Sequence, residues 1–125
     1  MDQATLVGPD LSAGREIVSV LDAAQIKQIT ALFVLFPEYS DWRLVLSSPS
    51  LDQDNSLKAG RKVHGILHGK FDTPLPPIMI LPTKDPFIRE LRKIFGKARS
   101  VSGMRLGGQT IGNRYTSDAY VYQIQ

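Results

Sequence analysis

No cysteine occurs in the chain. Its absence excludes disulfide staples, thiolate zinc sites and cysteine nucleophiles. Long apolar runs are missing as well: the longest, Ala31 to Phe36, is far too short to span a bilayer. The opening stretch, MDQATLVGPDLSAGR, lacks the positive start and apolar core of a signal peptide. These absences together lead to the expectation of a soluble, cytoplasmic protein with no membrane partner. The phosphate-binding patterns G-x-x-x-x-G-K-[ST] and G-x-G-x-x-G do not occur, nor does the G-x-S-x-G elbow of serine hydrolases. No cofactor is expected. There is no internal repeat and no low-complexity segment.

What is present reads as one folded domain over residues 1–125. Apolar residues make up 42% and charged residues 22% of 125, an ordinary balance for a single core. The net charge of +3 is badly mixed. Residues 1–56 hold eight acids and three bases, and residues 57–125 hold twelve bases and four acids. That asymmetry suggests either a polyanion partner for the second half or a meeting of the two halves, within the fold or across a dimer.

Local patterns outline the elements. Pro9-Asp10 opens a first helix, capped by Asp10 or Ser12, with Ile17, Leu21 and Ala24 at helical spacing. Residues 26–36 fit a strand or a helix by periodicity alone. The turn-rich Pro37 to Asp41 and the alternating Trp42 to Ser48 favour a β-hairpin. Asn55 to Lys70 reads as a helix with Leu57, Val63, Ile66 and Leu67 on one side, weakened by glycines that each cost about 1 kcal/mol against alanine. Ile78 to Leu81 is a short strand, entered through Pro74-Leu75-Pro76-Pro77. Asp85 to Gly96 is the strongest helix: Asp85 caps it, Pro86 suits its first position, and Phe87, Ile88, Leu91, Ile94 and Phe95 form a core-facing stripe. The alternation of Ser117 to Gln125 is that of a strand, placing Tyr120, Tyr122 and Ile124 on one side. The expected fold is α+β, with a mixed, mostly antiparallel sheet, about three helices packed on one face, and hairpins near both ends.

Few constellations could carry chemistry. His64 and His68, the two histidines, share a helix face, and Asp72 follows at the same spacing. They are weak candidates for a metal site or for general acid–base work in a hydrolase or ribonuclease. Asp52 and Asp54 lack the glycine and closing glutamate of a calcium loop. Tyr115, Tyr120 and Tyr122 lie among arginines, where aromatics stack bases, but the RRM signature is absent. RLGGQTIGNRY, Arg105 to Tyr115, resembles a phosphate loop in composition, yet a strand follows it where such a loop needs a helix. Gly107-Gly108 and Gly112-Asn113 instead match two-residue hairpin turns.

The functional reading is a small binding or accessory domain that does no chemistry of its own. Its candidate polyanion-binding residues are Arg89, Arg92, Lys93, Lys97, Arg99, Arg105 and Arg114. The alternative is a protein-interaction or self-assembling module, a homo-oligomer among the options, with its acidic and basic halves in contact.

Overall fold

A computed structural model describes residues 8–39, 41–52, 55–72, 74–96 and 102–124. The fold is α+β. Its elements run in the order α1 (Gly8–Ala23), β1 (Thr30–Leu35), β2 (Arg43–Ser47), a 3-10 turn (Pro49–Leu51), α2 (Ser56–Leu67), β3 (Ile78–Ile80), α3 (Pro86–Phe95), β4 (Gln109–Ile111), β5 (Arg114–Thr116) and β6 (Asp118–Gln123). The main sheet has the order β3-β2-β1-β6; β1 is antiparallel to both its neighbours and β3 is parallel to β2. β4 and β5 form a separate hairpin.

Residues 30–35 settle as a strand, and every one of them is buried. Ala31, Phe33 and Leu35 join the core beneath α1 and α2, where Ile17, Leu21, Ala59, Val63 and Leu67 meet them. Leu32 and Val34 face the other way, towards Phe87, Ile88 and Leu91 of α3. The expectation of three helices on one face is therefore corrected: α1 and α2 cover one side of the sheet, and α3 with the β4–β5 hairpin covers the other. The cause lies in β1 itself. A strand apolar on both sides needs two covers, and each fully buried large side chain contributes about 1.5–3 kcal/mol.

Three local readings also change. α1 already includes Gly8, so Asp10 and Ser12 lie inside the helix rather than capping it. In β6 the register slips by one residue, with Leu32 opposite Val121 but Ala31 opposite Gln123. This bulge turns Ile124 into the α3-side core with Ala119 and Val121, away from Tyr120 and Tyr122. Gly107-Gly108 is not a hairpin turn. Residues 103–106 run along the outer edge of β6, with Arg105 bridged to Tyr120 and the Leu106 N–H donating to the Ala119 carbonyl at 3.0 Å. Gly108, at φ 65°, then redirects the chain into β4. Gly112-Asn113 does form the expected turn, joining Ile111 to Arg114. Among the described residues, no helix is long and apolar enough to cross a membrane.

Candidate functional site

α3 takes its position from its cap and its stripe. The Asp85 carboxylate accepts from the Phe87 N–H at 2.9 Å, and Phe87, Ile88 and Leu91 are buried. Ile94 is 53% exposed, so the stripe is narrower than its spacing implies. Arg89 and Lys93 stand exposed on the flank. With Pro86, Glu90, Gly112 and Asn113 they border an open depression of about 500 Å³.

The other predicted cations of the second half are occupied or lie elsewhere. Arg92 is half-buried and donates from Nη2 to the Gln28 carbonyl at 3.3 Å. Arg114 pairs with Asp85 at 3.7 Å and stands over the Phe36 ring at 5.9 Å. Arg105 forms a two-point ion pair with Asp118. Lys97 and Arg99 lie outside the described residues. The structure thus brings Arg89 and Lys93 together beside Asn113, and commits Arg92, Arg105 and Arg114 to the fold.

The remaining candidates have structural surroundings. His64, His68 and Asp72 are exposed, and His68 ends α2, its N–H bonded to the His64 carbonyl at 2.9 Å. No group of three His, Cys, Asp or Glu side chains among the described residues could hold a metal ion. Asp52 accepts from the N–H and hydroxyl of Thr83, which makes it a staple between two loops; Asp54 lies outside the described residues. Tyr120 and Tyr122 pack edge to face at 5.2 Å on the α1 side of the sheet, and the Tyr122 hydroxyl donates to the Leu11 carbonyl at 2.8 Å. They form no open stacking platform; Tyr115 alone of the three is exposed. Pro74 to Pro77 leads into β3, with the Pro77 carbonyl accepting from the Leu44 N–H at 2.8 Å.

One basic surface escapes the sequence reading. α2 is capped by Asn55, whose side chain accepts from the Lys58 N–H at 2.9 Å, and it buries Ala59, Val63 and Leu67. Lys58, Arg61 and Lys62 are exposed on its outer side, and Lys70 follows it. No acid occurs in α2, and neither ion pair among the described residues touches it. Leu57, expected in the core, is 64% exposed. Summing charge helix by helix, rather than over half-chains, would have revealed this face.

No family model matches the chain, and neither does any curated protein or solved structure.

Proposed function

We propose that this protein is a non-catalytic binding domain for a polyanion, nucleic acid being the class that suits it best. One observation carries the reading: among the described residues, several basic side chains of the second half are exposed and make no ion pair. Two of that half's acids, Asp85 and Asp118, are taken up by Arg114 and Arg105. Lys58, Arg61 and Lys62 on α2 and Arg89 and Lys93 on α3 are exposed and form no ion pair among the described residues. Cations left uncompensated in this way attract phosphate chains through counterion release, without reading base sequence. A cytoplasmic location belongs to the same reading, and the lack of cysteine supports it.

Fluorescence anisotropy with mixed-sequence DNA and RNA provides the test. Binding should weaken steeply and log-linearly as salt rises. Undetectable or salt-insensitive binding would sink the proposal.

A second reading, self-assembly through opposite charges, has its own support. Among the described residues, no ion pair joins the acids of the first half to the bases of the second. Glu16, Asp22, Glu38 and Asp41 are exposed and available to a second copy. Sedimentation across a salt series decides it: oligomers that dissociate with salt support it, and a monomer throughout removes it.

A further inference from the structure

The outer face of α2 breaks several rules of helix stability at once. Gly65 stands on that face in the last turn of the helix, four residues after Arg61 and three before the capping His68. A Cβ placed on it would find nothing within 4 Å. Neither a close contact nor a positive φ requires glycine there, and alanine would favour the helix. Lys58 and Lys62 repeat a like charge at i, i+4. The first turn carries no acid, and Lys58 stands there beside the positive end of the helix dipole. Packing leaves room to relieve each of these costs by one substitution. Local rules broken together, with no compensating ion pair among the described residues, mark a surface that serves something outside the fold.

We propose that this face docks the sugar–phosphate backbone of a nucleic acid, with Gly65 as the point of closest approach. The inference rests on the polyanion reading above and assigns it to one element. A phosphate ridge lying along the helix meets no side chain at Gly65. Lys58 and Lys62 reach it from one flank, Arg61 and His68 from the other. Such contacts position a backbone and leave the bases unread. An anionic lipid surface fits less well. Membrane-bound helices present an apolar face to the lipid, whereas Ala59, Val63 and Leu67 of α2 are turned into the core, leaving Leu57 as the exposed apolar side chain.

The test uses the full chain with a fluorescent DNA duplex, the matching RNA duplex and single strands of each. Substituting Gly65→Gln fills the open space with a good helix former. The expected result is opposed signs: Tm rises by about 2–5 °C, while Kd weakens about fivefold, the equivalent of one lost phosphate contact. Lys58→Gln and Lys62→Gln should each lower the salt slope by about one unit. Gly60→Ala, on the half-buried flank, should raise Tm and leave Kd unchanged. If the wild type binds but Gly65→Gln binds equally well, this inference falls and the polyanion reading stands. If Gly65→Gln lowers Tm together with affinity, the glycine is structural and the inference again falls. Absence of binding to every nucleic acid overturns both, and so does binding only to phosphatidylserine vesicles.

Discussion

Asp85 holds α3 and β5 at the same time: one carboxylate oxygen accepts from the Phe87 N–H at 2.9 Å and the other faces Arg114 at 3.7 Å. A single side chain thus starts a helix and pins the β4–β5 hairpin against it. Asp85→Ala removes both roles and leaves the largely covered Arg114 guanidinium without its counter-charge. We expect it to cost about 2 kcal/mol in urea unfolding, and Asp85→Asn, which keeps the cap, about half of that. Arg105→Ala supplies the contrast. Its pair with Asp118 is more exposed, 54% against 28% for the Arg114 side chain, and its loss should cost under about 1 kcal/mol.

Gly112 makes the closest approach between the hairpin and α3. Its φ is 61°, and a Cβ there would come within 2.5 Å of the Pro86 carbonyl oxygen. Gly112→Ala should therefore destabilise by about 2–3 kcal/mol, through backbone strain and displacement of the α3 start. A Tm within one degree of wild type would contradict the packing of the turn on the helix.

Gln25 points the other way. The end of α1 is closed by the Ile26 N–H donating to the Leu21 carbonyl at 3.1 Å, with Gln25 at φ 72°. Glycine is the usual occupant of that left-handed position. Gln25→Gly should stabilise the protein by about 0.5–1 kcal/mol, readable as an upward shift in Tm.

Phe87 tests the two-sided core. It is fully buried against Phe36, with ring centroids 5.9 Å apart, on the side of the sheet away from α1 and α2. Phe87→Ala should cost about 3–5 kcal/mol. The loss is expected to be cooperative, with far-ultraviolet and Trp42 fluorescence transitions coinciding, because β1 contributes to both cores. Trp42 is buried on the opposite side, so separate transitions would show that the two cores melt independently.

Much of the fold was legible where local chemistry decides the outcome. Asp85-Pro86 starts α3 as its backbone preferences require, Gly96 caps the other end though in an ordinary right-handed conformation, and Gly112-Asn113 marks a real turn. The hairpin of β1 and β2 followed from two apolar runs about one short connector. Sidedness was not legible. A run such as Ala31 to Leu35 reads alike whether one or both faces are covered, since the covering elements lie far along the chain. Leu57 and Ile94 keep helical spacing yet stay more than half exposed. The candidate site divided the same way. Arg89 and Lys93 were recognisable as a free helix flank, whereas Arg105 and Arg114 are claimed by Asp118 and Asp85, partners that spacing does not reveal. α2 escaped notice because its apolar stripe drew attention to its inner side.

The order of strands has a consequence for biosynthesis. β1 ends at Leu35, and its second neighbour, β6, begins only at Asp118. A ribosome makes the β1–β2 hairpin early, with one edge of its most apolar strand open until residues 118–123 emerge. Throughout that interval the edge is a template for pairing with other nascent chains. The sheet is completed only once the residues between Leu35 and Asp118 have been translated, so chaperone supply and expression temperature should govern soluble yield more than the equilibrium stability of the finished fold does.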